Sequence, residues 1–398
     1  MKKRLILLFS ILLLLGLLFA LFFYIIPPIK IVLNGGDTIV LKLGEEYSEP
    51  GYKGLFVKED ITSKVYVSGE VDSSKIGEYK VSYALKKGNR YITKERIIKV
   101  VDEIKPEINL VGPDKIYLLL NKEYKEYGYK ATDNYDNEVS VSVEGKVDNT
   151  KVGTYNLKYV ARDASGNTSE VVRTIEVVDH SIASDLPVLM YHFFYIDGER
   201  PDGNYVHRDE FDKQLKYLVD NNYYFPTWDE VNDYMDGIIA LPEKSIVLTF
   251  DDGSPSFYDI AYEVAKKYNV PVTAFIITSW GAPNNKDFPL IRFQSHSHDM
   301  HQGGCSGQGH GGLFQCWDYD LALADAIKSK EIANDAIVFC YPFGDVNDRE
   351  VEILIKAGYK MAFTTEWGRI RPGMDKMRLP RIRISGWSSF DYFVDLVS

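Results

Sequence analysis

Cysteine is nearly absent from this chain: Cys305, Cys316 and Cys340 are the only three in 398 residues. A count that low and odd excludes a disulfide framework as the thing that holds the protein together. Cys305 and Cys316 bracket a Gly-rich loop, and spacing alone leaves open whether they pair outside a cell. Positive charge is also in deficit, with a balance of −11 at pH 7. That argues against nucleic acid or an anionic lipid surface as a partner and suits a neutral or cationic substrate better. Histidine is scarce too, at seven residues, which makes three of them within the six positions His296 to His301 conspicuous.

One stretch lacks charge altogether. Met1-Lys2-Lys3-Arg4 precede Leu5 to Ile26, 22 residues of which eighteen are Leu, Ile or Phe. As a helix they span roughly 33 Å, enough to cross a hydrocarbon core of about 30 Å. No A-x-A-like cleavage site follows, Pro27-Pro28 come next, and no cysteine stands there to accept lipid. The run is therefore expected to remain as a single-pass anchor rather than leave as a signal peptide. The basic residues ahead of it place the N-terminus inside and the rest of the chain outside.

Residues 29–102 and 103–180 are an internal duplication. Leu33 to Tyr52 aligns with Leu110 to Tyr129, matching Gly35 with Gly112, Tyr47 with Tyr124 and Gly51-Tyr52 with Gly128-Tyr129. Further on Gly77 matches Gly153, Tyr79 matches Tyr155, and both units end in Val-Val-Asp, at Asp102 and Asp179. Short runs such as Lys80-Val81-Ser82-Tyr83 alternate polar and apolar residues, and no long segment has helical periodicity, so each unit reads as a β-sandwich. The acidic turn Asp133-Asn134-Tyr135-Asp136 reads as solvated rather than as a Ca²⁺ site. The pair is expected to act as a spacer between membrane and C-terminal domain, with binding to cell-wall polymer as the alternative.

From 185 to 398 the pattern changes. Apolar runs at Pro187–Tyr191, Ile246–Phe250, Val272–Ile277, Ile291–Gln294, Ala336–Tyr341, Met361–Thr364 and Ile382–Ile384 alternate with helical stretches at Glu210–Val219, Tyr258–Lys267, Ala322–Ile332 and Glu350–Ala357. Repeated β-α units imply an α/β domain with a parallel sheet, open or closed as a barrel, and with its chemistry on the loops after the strand C-termini. Three notable segments sit at such positions: Thr249-Phe250-Asp251-Asp252-Gly253, Ser295-His296-Ser297-His298-Asp299-Met300-His301 and Tyr341-Pro342-Phe343-Gly344. One aspartate with two histidines is a mixed oxygen and nitrogen set suited to Zn²⁺, leaving a coordination position open, and the spare aspartate is a candidate general base. His298 competes with its neighbours as a ligand. His180 and His207 lack such context and read as surface residues. The loop Gly303 to Gly312, with His310, either rims the cleft or is a surface insertion.

These three elements, in this order, resemble the polysaccharide deacetylases, the NodB-like carbohydrate esterases of family 4. The element Pro187-Val188-Leu189-Met190-Tyr191-His192 ahead of them is similar to the branch that deacetylates poly-β-1,6-N-acetylglucosamine. Asp163-Ala164-Ser165-Gly166-Asn167 matches a turn common in bacterial Ig-like modules, which the repeats resemble. The resemblance implies a distorted (β/α)₇ barrel, which here follows the expected transmembrane helix and two all-β Ig-like sandwiches. It implies Asp252, His296 and His301 as ligands of Zn²⁺, with Co²⁺ or Ni²⁺ as alternatives. Asp251 becomes the general base and His192 the general acid. Tyr341 and Phe343 lie on the substrate side, with a backbone N–H near Phe343 as oxyanion donor. Where the family carries an arginine before its Y-P-[FY]-G turn, this chain has Phe339-Cys340, and Arg381 is the residue expected to supply that guanidinium. The implied activity is N-deacetylation of an N-acetylhexosamine polysaccharide outside the cell. The alternatives are O-deacetylation, or an inactive barrel that works with the repeats as a wall-binding lectin.

Overall fold

The computed structural model of the protein describes residues 11–16, 29–180, 182–199, 201–283, 285–307 and 309–398. The expected anchor Leu5 to Ile26 lies outside the described residues except for 11–16, which are helical, and among the described residues no helix is long and apolar enough to cross a membrane. Contacts divide the chain into two compact units. One comprises the residues up to 108 together with 131–142 and 160–170; the other comprises 109–130, 143–159 and 171–398.

The first repeat is a two-sheet sandwich. Ile29–Leu33, Tyr52–Phe56 and Glu59–Asp60 form one sheet; Thr38–Lys42, Arg90–Val101, Gly77–Lys87 and Val65–Ser68 form the other. Its long hairpin turns on Gly88-Asn89, with Lys87 opposite Arg90 and Gly88 at φ +61°, where a two-residue loop needs a left-handed residue. The alternating pattern buries Val81, Tyr83, Leu85, Ile98 and Val100 on one face. In the second repeat Ser140–Glu144, Gly153–Arg162, Thr168–Val178 and Lys115–Leu119 make a sheet that gains a fifth strand from far along the chain. Ile239–Ala240 pairs antiparallel with Tyr117 and Leu118, and Leu119 donates its N–H to the Ile238 carbonyl at 3.0 Å. The duplication extends to the interior: Arg96 pairs with Glu49 and Arg173 with Glu126, each arginine fully buried, and Tyr83 and Tyr159 donate to the same two carboxylates.

The C-terminal half closes into a barrel of seven parallel strands in chain order: β1 Val188–Tyr191, β2 Val247–Phe250, β3 Val272–Ile276, β4 Ile291–Ser295, β5 Val338–Cys340, β6 Met361–Trp367 and β7 Leu379–Arg383. Closure is by β7 on β1, with Leu189 opposite Ile382 and Met190 opposite Arg383. β1, β2 and β3 are buried along their whole length, as expected of parallel strands covered on both faces. The barrel is irregular in two places. β4 and β5 share only the Ser295–Phe339 pair, and β6 slips register against β7 between Phe363 and Trp367.

Helices α1 Arg208–Asp220, α2 Trp228–Met235, α3 Tyr262–Tyr268, α4 Tyr319–Ile332, α5 Asp348–Lys356 and α6 Phe390–Val397 pack outside. The run expected as a helix at Tyr258–Lys267 begins as a π-turn, Phe257–Ala261, before α3. The helices α2 and α6 were not anticipated. α2 opens on a capping box in which Thr227 Oγ1 accepts from Glu230 N and Glu230 Oε2 accepts from Thr227 N.

Candidate active site

All the singled-out motifs emerge on one side of the barrel. His192 follows β1, Asp251 and Asp252 follow β2, His296 to His301 follow β4, Tyr341 to Gly344 follow β5, and Arg381 lies within β7. Three of these loops contain a non-glycine residue in the left-handed region: Asp252 and Ser297 at φ +72° and Phe343 at φ +61°. Each such residue costs about 1–3 kcal/mol and persists only where its surroundings dictate it. Here the turns aim neighbouring side chains into a single cleft of about 390 Å³, lined by His192, Asp251, Asp252, His296, His301, His310, Phe343, Thr365 and Arg383 among others.

Asp252, His296 and His301 bring their ligand atoms within 4.8 Å of one another. Asp252 Oδ1 is 3.5 Å from His296 Nε2 and 3.6 Å from His301 Nε2. Ligands of a tetrahedral ion with bonds of about 2.0–2.1 Å lie about 3.3 Å apart, so the set closes on Zn²⁺ with little movement. His296 Nδ1 faces the Cys340 carbonyl at 2.8 Å, which fixes the tautomer and leaves the Nε2 lone pair for a cation. Burial, with His296 beside it, pushes the His301 pKa down to about 4, so its imidazole is neutral as a ligand must be. His296 moves the other way: burial would lower it, but Cys340 and the Asp252 carboxylate outweigh that and raise it. Phe343 stacks on His301 with ring centroids 4.7 Å apart.

His298 is not part of this set. Its Nδ1 meets Thr278 Oγ1 at 2.9 Å, and its backbone N–H and that of Asp299 both donate to Asp325 on α4, at 2.8 and 2.6 Å. Asp325 therefore fixes the histidine loop from behind, a positioning residue that no local pattern marked.

Asp251 is held differently. Arg381 Nη1 donates to Oδ1 at 2.7 Å and Nη2 to Oδ2 at 2.8 Å, a bidentate pair with both partners buried. The guanidinium is itself placed by the Thr364 carbonyl, Thr249 Oγ1 and Cys340 Sγ, at 3.2, 3.2 and 3.0 Å. Burial alone would raise the Asp251 pKa, but Arg381 outweighs it and holds the carboxyl well below the usual carboxylate range. Asp251, His296 and Cys340 also cluster closely enough to hold an ion. However, Arg381 already occupies both oxygens of Asp251, and burial keeps the Cys340 thiol protonated. His192 Nε2 stands 3.9 Å from Asp251 Oδ2. Burial lowers its pKa, against the pull of Asp251 and Asp252.

Tyr341 lines the cleft, but its hydroxyl is committed to the Met377 carbonyl at 2.9 Å and its ring packs on Phe314 and Phe339 in the core. The glycine loop rims the cleft. Cys305 and Cys316 are disulfide-bonded, and His310 Nδ1 meets Asp345 Oδ1 at 2.7 Å. Arg383, Asn204 and Thr365 also line it and were missed. Arg383 alone had a signal, standing two residues after Arg381 on the same strand face.

Residues 239–362 match the polysaccharide deacetylase family, and 31–100 and 108–177 match the bacterial surface protein Ig-like domain. A poly-beta-1,6-N-acetyl-D-glucosamine N-deacetylase of Staphylococcus epidermidis is 28% identical over 226 residues, 49% of this chain and 77% of that protein. Among solved structures, the Streptococcus pyogenes deacetylase PplD in complex with acetate is 25% identical, with a TM-score of 0.47, covering 54% of this chain and 98% of that one. IcaB from Ammonifex degensii is 26% identical, with a TM-score of 0.47, covering 55% and 99%. The chain thus carries a polysaccharide deacetylase domain, a hydrolase domain, preceded by two Ig-like domains of the bacterial-surface type.

Proposed function

We propose that the chain N-deacetylates a poly-β-1,6-N-acetylglucosamine-type polymer at the outer surface of a cell, releasing acetate and leaving free amines. The observation that carries this reading is the convergence in one cleft of the Asp252, His296 and His301 set with an arginine-held Asp251 and with His192. The names of the Staphylococcus relatives supply the substrate class. A Zn²⁺ held by Asp252, His296 and His301 would supply a Lewis acid for the acetyl carbonyl and make water acidic near neutral pH.

The remaining steps belong to the side chains. Asp251 accepts a proton from the attacking water as its oxygen adds to the acetyl carbon. With its pKa held so low by Arg381, Asp251 does not retain that proton. His192, 3.9 Å away, is the next acceptor and passes it to the amide nitrogen as the C–N bond breaks. One proton thus travels from water to amine. A backbone N–H near Phe343 steadies the oxyanion.

The test is acetate and free-amine release by the purified chain on poly-N-acetylglucosamine, chitin oligomers and peptidoglycan in parallel. Release from the first, lost on chelation and restored by Zn²⁺, is expected. Release from an O-acetylated polysaccharide alone would replace this reading with an esterase.

The outward location rests on the charge-free run Leu5 to Ile26 behind its basic residues, and a disulfide suits an oxidising compartment. The Ig-like domains are then spacers between membrane and catalytic domain. Protease added to intact cells should cut residues beyond Pro28, and a chain protected from it would refute the topology.

A further inference from the structure

The first compact unit contains a second group of converging ligands, far from the deacetylase chemistry. Asp102, Asp133 and Asp163 each offer a carboxylate oxygen within 4.8 Å of the other two. Asp102 ends the first repeat, after the strand Arg90–Val101; Asp133 and Asp163 come from two loops of the second. The turn at Asp133 to Asp136, expected to be solvated, is tied down: Asp133 Oδ1 accepts from Tyr135 N and Asp136 N, and Asp136 Oδ2 accepts from Ala164 N at 2.7 Å.

What distinguishes this group from an ordinary acidic patch is what its oxygens lack. Asp102 is only 6% exposed. Its Oδ1 takes the Ile104 N–H at 3.0 Å, while its Oδ2 is buried and, among the described residues, accepts nothing. Asp133 Oδ2 is buried and unpartnered in the same way. Among the described residues, no lysine or arginine is ion-paired with any of the three; Asp163 accepts only from Asn167, whose side-chain amide also donates to the Asp102 and Ile104 carbonyls. Buried carboxylate oxygens that face like charges and no donor call for a cation.

We propose that Asp102, Asp133 and Asp163 bind Ca²⁺. The donors are all hard oxygens on loops of unequal length, with neither the nitrogen and sulfur ligands that zinc favours nor the rigid octahedron that Mg²⁺ demands. The ion ties the last strand of the first repeat to two loops of the second and orders their junction. The duplication supplies an internal contrast. Asp179 occupies the place equivalent to Asp102, but it is exposed and pairs with His180 at 2.6 Å. The group exists only where one repeat follows another.

The probe is Ca²⁺ itself, titrated into the full chain after zinc loading, with calorimetry and thermal unfolding as readouts. Extracellular calcium modules bind at about 0.1–1 mM. Binding in that range is expected, with an unfolding transition that moves up by several degrees. Asp133→Asn keeps an acceptor for Tyr135 N and Asp136 N, and it should abolish both responses. Asp163→Asn should do the same, and amine release by either variant should equal that of the native chain, which also reports that each is folded. A native chain indifferent to about 10 mM Ca²⁺, variants that respond as it does, or stabilisation by Mg²⁺ alone would each overturn the assignment.

Discussion

Asp251→Asn is expected to reduce amine release from N-acetylglucosamine oligomers by about 10²–10⁴-fold, or roughly 3–5 kcal/mol of barrier. Metal content should not change, because Asp252, His296 and His301 do not include it. The asparagine is isosteric but cannot take the proton of the attacking water. His192→Ala gives the informative contrast. It should match that loss on the amide yet retain far more activity on p-nitrophenyl acetate, whose leaving group needs no proton. Asp251→Asn should lose both reactions, since water must be activated in each. Measuring kcat/KM for the two variants on the two substrates decides the matter: equal loss on amide and ester by His192→Ala would remove its role in protonating the amine.

Arg381→Met should have the largest effect on stability. It leaves the Asp251 carboxylate buried with no counter-charge and strands the acceptors at Thr364 and Thr249. Breaking one side of such a pair costs about 3–5 kcal/mol. For a domain of this size, that is a fall of about 10 °C in the barrel's unfolding temperature. The pH dependence has a definite sign. Arg381 depresses the Asp251 pKa, so the pair's contribution is present above the ordinary carboxylate range, near pH 4, and is lost as pH falls. Calorimetry should therefore find the gap between native and variant widest at neutral pH and narrowing in acid. Asp251→Asn in the same chain should recover part of the loss, because it removes the stranded charge. A single variant that melts with the native chain would mean the pair is not buried as described.

The barrel was legible because parallel strands buried on both faces leave continuous apolar runs, and five of the seven carry a chemically suggestive loop or residue at or near their C-terminal ends. Arg381 was suggested by the missing arginine beside Cys340, and its guanidinium is paired with Asp251. Less local features escaped. The left-handed conformations of Ser297 and Phe343 run against the preference for glycine, asparagine or aspartate at such positions, so nothing in residue type announces them. Asp325 braces the histidine loop from a helix 26 residues on, and the disulfide depends on how the glycine loop folds back. The helix α2 did carry a signal, Thr227 and Glu230 in capping-box spacing, that was overlooked. The convergence of the Asp133 turn with Asp102 and Asp163 escaped because the three are distant in sequence and meet only in the fold.

The strand Ile239–Ala240 changes what counts as a detachable part. By repeat arithmetic the chain looks like interchangeable beads with a cut point near residue 180. Yet the second Ig-like sheet is completed by two residues from inside the catalytic half, both almost wholly buried. Excising the enzyme at that apparent seam would bare a hydrophobic edge and leave Tyr127 without its Asp233 partner, 2.8 Å away. Recombination during evolution meets the same obstacle. On this geometry the second Ig-like domain and the enzyme travel as one piece.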